Sequence, residues 1–190
     1  MAHSRILVFA GSIRTGALSQ KLASLAAKEL SALDAEPSLI SLSDYPMPLY
    51  DGDLEAREGA PENARKLRRM MLAHRGIFIA TPEYNASTPP LLKNALDWVS
   101  RAKEPASDPF KGRFFAIGST SNGKLGGYRA LMALRQTLEL GLGALVLPEQ
   151  VSIAEAGQAF DENGALKDMR NANFLRASLT RLIAFSESEL

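Results

Sequence analysis

The 190-residue sequence contains no cysteine and only two histidines. Without a thiol, the chain can form no disulfide, no thiolate nucleophile and no cysteine-ligated zinc or iron–sulfur site. His3 lies near the N-terminus and His74 precedes a predicted strand, so the two cannot assemble a His-dependent triad or a two-histidine metal site. We therefore predict no metal centre and few candidate catalytic side chains.

The sequence also lacks a long apolar run and an excess of charge of either sign. No segment approaches the ~20 apolar residues that a membrane-spanning helix requires, and the N-terminal MAHSRILVFAGS is too short in apolar residues for a signal peptide. The 22 Lys and Arg nearly balance the 21 Asp and Glu, which disfavours a general nucleic-acid-binding surface. We expect a cytoplasmic protein that binds neither membranes nor nucleic acid.

What the sequence does contain is a regular alternation of short apolar runs and amphipathic segments. Its length and its 46% of hydrophobic residues fit one domain, residues 1–190, with a sizeable core. The predicted strands are residues 6–10, 38–42, 77–80, the apolar part of 113–123, and 144–151. The predicted helices are residues 18–33, 61–73, 90–101, 131–140 and 172–185, with a loop after residue 44 and a turn at 160–166. This alternation predicts an α/β fold with a doubly wound parallel sheet.

Three of the predicted strands end in loops rich in Gly, Ser, Thr and Asn. These loops are residues 11–19, 81–87 and 118–127. In doubly wound sheets, ligands bind beyond the carboxyl ends of the strands, where the strand order switches. We therefore expect the three loops to converge on one binding site.

The first loop and the helix after it read GSIRTGALSQKLA, a composition that suits an anion site. A strand, a tight turn and a helix direct backbone N–H groups and the helix dipole towards one point. Hydroxyls of Ser12, Thr15 and Ser19 can donate to phosphate oxygens, and Arg14 can pair with the charge. Because both G-x-G-x-x-G and Gly-Lys-Ser/Thr are absent, a terminal phosphate monoester fits best. Alternatively, Ser12 and Ser19 only cap or start the helix and Arg14 is solvated.

The second loop, within TPEYNASTPPLLKNALDW, is stiffened by prolines at three positions. A loop of this kind holds its backbone donors in place and can present them to the edge of a planar heterocycle. It offers an acid, a phenol, an amide and a hydroxyl at Glu83, Tyr84, Asn85 and Ser87. The alternative is a proline-rich turn that satisfies its own backbone. On the following helix, we expect Trp98 to pack in the core or a subunit interface and Asp97 to accept structural hydrogen bonds.

The third loop, GSTSNGKLGGYRA, has four glycines that allow the backbone to approach a ring closely. Ser119, Thr120 and Ser121 are placed to reach a carbonyl or ribityl edge, although a mobile surface turn would have the same composition. Lys124 and Arg129 either attract a second phosphate-bearing ligand or are solvated. Converging loops with few catalytic side chains indicate that a cofactor supplies the chemistry.

Together, GSIRTGALSQKLA, TPEYNASTPPLLKNALDWVSR and GSTSNGKLGGYRALMALR resemble the NADPH-dependent FMN reductase family. This is the flavodoxin-like group that includes chromate and quinone reductases and azoreductase-type enzymes. The resemblance covers nearly the whole chain, and the pairing of G-S-x-R-x-x-x-x-S with a later P-E-Y-N is specific. It implies a three-layer α/β/α sandwich with a five-stranded parallel sheet in the order 2-1-3-4-5.

The resemblance also implies FMN, held without a covalent bond. The residues implied at its phosphate are Ser12, Arg14, Ser19 and Gln20, the last standing where many members have Asn. The residues implied at its ring are Pro82, Glu83, Tyr84 and Asn85, with Ser87 as a further contact and Ser119 on the pyrimidine side.

By the same resemblance, NADPH or NADH would pass a hydride to FMN N5, and a quinone, azo compound, chromate or flavin would then accept the electrons by ping-pong turnover. No side chain is expected to act as nucleophile or essential base. Family members are dimers or tetramers, so a homodimer or homotetramer is expected, with residues 90–101 as a candidate interface. The alternatives are a flavodoxin-like electron carrier, disfavoured by a pI near 8.0, a non-catalytic FMN-binding scaffold or sensor, and a reductase that releases reduced flavin.

Overall fold

A computed structural model describes residues 4–103 and 107–188. Five strands form one sheet, and every neighbouring pair is parallel. The strands are β1 (Arg5–Ala10), β2 (Glu36–Ile40), β3 (Gly76–Pro82), β4 (Phe114–Thr120) and β5 (Leu145–Ile153). Their order across the sheet is β2-β1-β3-β4-β5, which confirms the predicted order 2-1-3-4-5.

Helices cover both faces of the sheet. They are α1 (Leu18–Ala32), α2 (Gly52–Glu58), α3 (Glu62–Leu72), α4 (Pro90–Arg101), α5 (Tyr128–Gln136), α6 (Ala156–Ala159) and α7 (Met169–Glu187). Successive side chains of a strand point to opposite faces. Ile6 and Val8 accordingly pack with α1 and α7, whereas Leu7 and Phe9 pack with α3, α4 and α5. The fold is therefore the predicted three-layer sandwich.

The predicted element boundaries were wrong in several places. β2 begins and ends two residues before the predicted 38–42. It ends early because Leu42, the last apolar residue of the predicted strand, opens a 3-10 helix. Helix α2 lies in the predicted loop; it buries none of its residues and is fixed by Asp51, whose Oδ1 accepts the Asp53 N–H at 2.8 Å. α5 begins three residues earlier than predicted and continues as a π-helical turn, Thr137–Gly141. α4 begins and ends as predicted.

A few predictions fall outside the described residues. His3 lies outside them, as do residues 104–106 of the connector between α4 and β4. None of the helices that the structure describes is long and apolar enough to cross a membrane.

Helix α4 holds the segment that follows β2 against the body of the protein. Trp98 is fully buried and its Nε1 donates to the Pro48 carbonyl at 2.8 Å. Asn94 Nδ2 donates to the same carbonyl oxygen at 2.9 Å, and Tyr50 packs edge-on against Trp98 with ring centroids 5.0 Å apart. Trp98 is therefore a core residue, as predicted. Asp97 accepts two hydrogen bonds from Lys93 on the helix surface.

An arginine from α5 binds the backbone of β5 where its pairing with β4 changes register. Arg135 Nη2 donates to the Leu147 carbonyl at 2.6 Å, and Nη1 donates to the Val146 carbonyl at 3.4 Å. The next residue, Pro148, has no N–H to offer a further strand. The guanidinium is itself fixed by Glu139, whose Oε1 is 2.7 Å from Nη1.

Candidate functional site

The carboxyl ends of β1, β3 and β4 lie side by side and bring the three polar loops together. The Gly11 N–H, just after β1, donates to the Ala80 carbonyl at 2.8 Å. On the other side of β3, Thr81 pairs with Ser119 and Pro82 with Thr120. A Cβ atom at Gly11 would lie 2.9 Å from the Leu92 side chain, so glycine permits this close packing. The predicted convergence of the loops is confirmed.

The first loop is held in place by hydrogen bonds between its side chains and its backbone. Ser12 Oγ accepts the Arg14 N–H at 3.3 Å, and Gln20 Nε2 donates to the Ser12 carbonyl at 3.1 Å. Ser12 is buried, whereas Arg14 and Thr15 are exposed. The loop thus presents an exposed guanidinium and hydroxyl above a buried turn.

The N-terminus of α1 lies at this loop and is not capped by a side chain. Ala17 stands at the cap position, and the first turn has no acidic residue. Ser12 and Ser19 therefore do not cap the helix, although Ser19 lies in its first turn and Arg14 is exposed, as the alternative had it. Ser19 Oγ is fully buried and has no hydrogen-bond partner among the described residues. A buried hydroxyl left in this state costs about 1–3 kcal/mol, so a ligand that accepts its proton would recover that cost.

A cleft of about 400 Å³ adjoins the first loop and runs towards the end of β2. Its polar lining includes Ser12, Gln20, Ser24, Ser41 and Asp44. Because Ser12 and Gln20 belong to both features, a ligand at the helix N-terminus can extend into this cleft.

The second loop is a tight turn with exposed tips. Tyr84 and Ser87 exchange backbone hydrogen bonds, each 3.0 Å long. Between them, Asn85 and Ala86 have φ angles of 49° and 63°, the left-handed conformation of a type I′ turn. Their N–H groups donate to no residue that the structure describes. The turn therefore offers two adjacent backbone donors beside an exposed Tyr84 ring.

The carboxylate of Glu83 is bound by helix α5. Glu83 Oε2 accepts the N–H groups of Arg129 and Ala130 at 3.1 and 3.3 Å. Oε1 accepts Nε of Arg129 at 2.9 Å and also a terminal N–H of that guanidinium. Burial alone would raise the pKa of Glu83, but these hydrogen bonds bring it below its ordinary value. This carboxylate is ionised and engaged within the chain, so a ring-lining role applies only to the Glu83 backbone.

The third loop is held by its own side chains and by β5. Ser119 is fully buried and its Oγ donates to the Gly126 carbonyl at 2.7 Å, while Ser152 Oγ donates to the Leu125 carbonyl at 2.9 Å. Gly127 has a φ of 86°, and a Cβ atom there would lie 2.9 Å from the Ser119 Cβ. The Ser119 hydroxyl therefore closes the loop.

Two features of the site go beyond the residues assigned to the cofactor. Thr120, which the sequence placed beside Ser119 as able to reach a ring or ribityl edge, has a buried Oγ1 with no hydrogen-bond partner among the described residues. The pairing of Arg129 with Glu83 was missed altogether, because nothing in a local pattern connects residues that are 46 positions apart. Arg129 is thus exposed, as one of the two alternatives had it, but its guanidinium is paired with Glu83.

Comparison with known proteins assigns the family. The sequence profile of the NADPH-dependent FMN reductases matches residues 4–158 of this chain. The chain belongs to that family.

Individual relatives agree with the family assignment. The chain is 37% identical over 180 residues to an NAD(P)H-dependent FMN reductase of Pseudomonas aeruginosa, covering 94% of this chain and 92% of the relative. It is 33% identical over 185 residues to a quinone reductase of Escherichia coli, covering 96% and 94%. Among solved structures, the flavoenzyme FerB, an NAD(P)H:acceptor oxidoreductase from Paracoccus denitrificans, matches with a TM-score of 0.78 and 28% identity over 97% of each chain.

The protein is therefore an oxidoreductase of the NAD(P)H-dependent FMN reductase type, with FMN as its cofactor. The site chemistry fits that cofactor. An uncapped helix N-terminus, the exposed Arg14 and the unpartnered Ser19 hydroxyl suit a phosphate dianion. The free N–H groups of Asn85 and Ala86 and the unpartnered Thr120 hydroxyl suit the heteroatoms at the edge of a flavin ring.

Proposed function

We propose that this single-domain reductase passes a hydride from NAD(P)H to N5 of bound FMN and then delivers the electrons to a quinone by ping-pong turnover. The observation that carries the proposal is the pair of buried hydroxyls, Ser19 in the first turn of α1 and Thr120 at the end of β4, that have no hydrogen-bond partner among the described residues. A ligand with a phosphate at one end and a hydrogen-bonding ring at the other accounts for both. FMN has that form.

The first loop is proposed to hold the phosphate. Arg14 supplies the charge, Ser12 and Ser19 supply hydroxyl donors, and the α1 N–H groups supply the dipole. Gln20 Nε2 already donates to the Ser12 carbonyl, so we assign Gln20 a role in fixing the loop and lining the cleft beside it. These assignments need no metal ion, because the charge is met by a guanidinium and backbone donors.

The second and third loops are proposed to hold the ring. Pro82 fixes the chain as it leaves β3, and the Asn85 and Ala86 N–H groups face the solvent-accessible side of the turn. The Ser87 backbone closes that turn, and Thr120 replaces Ser119 as the hydroxyl available on the β4 side. Tyr84 is 46% exposed and is assigned to the mouth of the site, where a nicotinamide or a quinone enters.

The acceptor range is proposed to be wide. The groups around the ring are backbone donors and an exposed phenol, which orient the cofactor without enclosing a second substrate. Quinones are the proposed acceptors, and azo compounds, chromate and free flavin are tested as further ones. We also propose that the protein is a cytoplasmic homodimer or homotetramer. The outer surface of α4 is the first interface to test.

A visible spectrum of the purified protein, before and after anaerobic NADPH, tests the proposal directly. We expect flavin absorption that bleaches with NADPH and returns when a benzoquinone is added. Initial rates at varied NADPH and quinone should give parallel double-reciprocal lines, and intersecting lines would refute the ping-pong order.

Three outcomes would favour other functions. A flavin that resists NADPH but accepts electrons from dithionite would indicate an electron carrier. A colourless protein that takes up no added FMN would indicate a scaffold or sensor. Flavin that leaves the protein during turnover, measured by ultrafiltration, would indicate a supplier of free reduced flavin.

A further inference from the structure

The Glu83 carboxylate joins two loops that are distant in sequence. It follows β3 directly, yet all four hydrogen bonds that it accepts come from Arg129 and Ala130 at the start of α5. Its side chain is only 8% exposed, while that of Arg129 is 56% exposed. The contact is therefore a sheltered carboxylate covered by an arginine.

Helix α5 depends on this carboxylate for its N-terminal cap. Gly127 occupies the cap position and has no side chain to offer. A helix leaves its first N–H groups without partners inside the helix, and Glu83 accepts two of those of α5. A carboxylate at this position also interacts favourably with the helix dipole.

The same carboxylate fixes the turn that begins at the next residue. Within the part of the chain that the structure describes, the backbone groups of Tyr84 and Ser87 bond only to each other, so the turn is anchored at one side by Glu83. On the other side, Pro89 leads into α4. A change at Glu83 therefore moves the Asn85 and Ala86 donors relative to the third loop.

We propose that Glu83 and Arg129 are positioning residues that clamp the Tyr84 turn to the third loop, so that the flavin-ring half of the site is formed before the cofactor binds. This inference rests on the proposed function, because the clamp matters to a ring held between the two loops. The clamp sets affinity for the ring and leaves the phosphate half of the site unchanged.

Binding of FMN and of riboflavin, which lacks the phosphate, separates the two halves. In Glu83→Gln, the side-chain amide keeps the size of the carboxylate but removes its charge and sets N–H donors against the α5 donors. We expect the Kd values of FMN and riboflavin to rise by the same factor, about tenfold, in fluorescence titrations. Arg129→Met keeps the backbone N–H groups and should raise both about threefold.

Two control variants bracket this result. Arg14→Ala should raise the Kd of FMN and leave that of riboflavin unchanged, because only the phosphate loses its partner. Glu29→Gln breaks the Glu29–Arg176 ion pair (3.0 Å) between α1 and α7 and should change neither Kd. If Glu83→Gln raised the Kd of FMN alone, or of neither ligand, the clamp would be refuted.

Amide hydrogen exchange in the protein without flavin provides a readout that does not depend on the proposed function. In Glu83→Gln, exchange should accelerate roughly tenfold at the N–H groups of Tyr84, Ser87, Arg129 and Ala130, with the core of β1 and β3 unchanged. Should Glu83→Gln fail to fold, Arg129→Met carries the same test, because its side chain is largely exposed. Unchanged exchange in the turn refutes the clamp, whereas a wild-type protein that binds no flavin refutes the proposed function and leaves the exchange result to be judged separately.

Discussion

The first loop and the two loops beside it lie at one edge of the same sheet, but they use their polar groups in opposite ways. In the first loop, the Ser19 hydroxyl and the α1 N-terminus have no side-chain partner among the described residues. In the other two, the Glu83 carboxylate and the Ser119 hydroxyl are used to hold backbone in place. The difference supports the proposal that side chains bind the charged end of the cofactor and that backbone groups held in place bind most of its ring.

The largest effect is expected from removing the guanidinium of the first loop. Arg14→Ala should weaken FMN binding about 100-fold, because a charge-assisted interaction with the phosphate contributes about 1.5–3 kcal/mol. Fluorescence titration with FMN measures it. Lys28→Ala, an exposed cation farther along α1, is the control and should bind FMN like the wild type. Full flavin retention in Arg14→Ala would mean that the first loop does not hold the phosphate.

The two buried serines provide the sharpest test of the contrast, because only the substitution of Ser119 should destabilise the flavin-free protein. Ser119→Ala leaves the Gly126 carbonyl without its donor and should lower the free energy of unfolding of the flavin-free protein by about 1–2 kcal/mol. Ser19→Ala removes an unpartnered hydroxyl, so it should leave that stability unchanged or raise it, while weakening FMN binding several-fold. Denaturant titrations of the flavin-free proteins measure both changes. Equal destabilisation by the two substitutions would contradict the contrast between the loops.

A third test concerns the amino-terminal ends of the strands, where His74 precedes β3. Its Nδ1 lies 2.6 Å from the Met70 carbonyl and its Nε2 lies 2.8 Å from Ser38 Oγ. Burial lowers the pKa of His74 below its usual 6.5, although the hydrogen bond to Met70 opposes this shift. The native state therefore binds fewer protons than the unfolded state below pH 6.5. The contribution of neutral His74 to stability is fully present above pH 6.5. Below that pH the free energy of unfolding should fall, by at most about 1.4 kcal/mol per pH unit.

The Glu83 clamp should not respond in that window. Its lowered pKa means that its stabilisation is present above pH 4.5 and is lost only as the pH falls further. Between pH 6.5 and 5.5, unfolding titrations should thus show decreasing stability, while hydrogen exchange in the Tyr84 turn, corrected for intrinsic rates, stays constant. His74→Gln should flatten the stability profile over this range. A profile that is equally steep in His74→Gln would assign the effect to other groups.

The smallest effect is expected at the exposed Lys93–Asp97 pair of α4. The two side chains are 48% and 35% exposed and lie one helical turn apart. Asp97→Asn should change the free energy of unfolding by less than about 0.5 kcal/mol and leave FMN affinity unaltered. Compared with Glu83→Gln, this variant shows how much more a buried carboxylate that binds backbone N–H groups contributes to FMN affinity than a carboxylate on the surface. A comparable loss of affinity in both variants would remove the distinction.

Sequence periodicity predicted the fold well, because it depends on which residues are apolar. The run ILVFA is buried on both faces of the sheet and was located correctly, as was α4 with its proline start. Helix α2 escaped prediction because it buries no residue and so has no apolar stripe. The short edge strand β2 was misplaced because its residues are only half buried or exposed, so they give a weak apolar pattern.

The sequence predicted which residue types form the site, but not which hydrogen bonds their side chains make. The converging loops and the phosphate-type first loop followed from strand ends and residue types. Whether a polar side chain is free for a ligand depends on what it already binds, and that information lies in tertiary contacts. Ser119 and Glu83 were therefore assigned as ligand contacts although their side chains bind Gly126 and α5. Thr120 was named beside Ser119 but not assigned to the cofactor, although its hydroxyl has no partner among the described residues.

The irregular backbone of β5 has a consequence for assembly. An exposed edge strand offers its carbonyl and N–H groups to a strand from another copy, which is a common route to aggregation. β5 is an edge strand of the sheet, but Pro148 within it lacks an N–H and its register shifts after Val146. Copies of this chain are therefore discouraged from joining into a continuous sheet through β5.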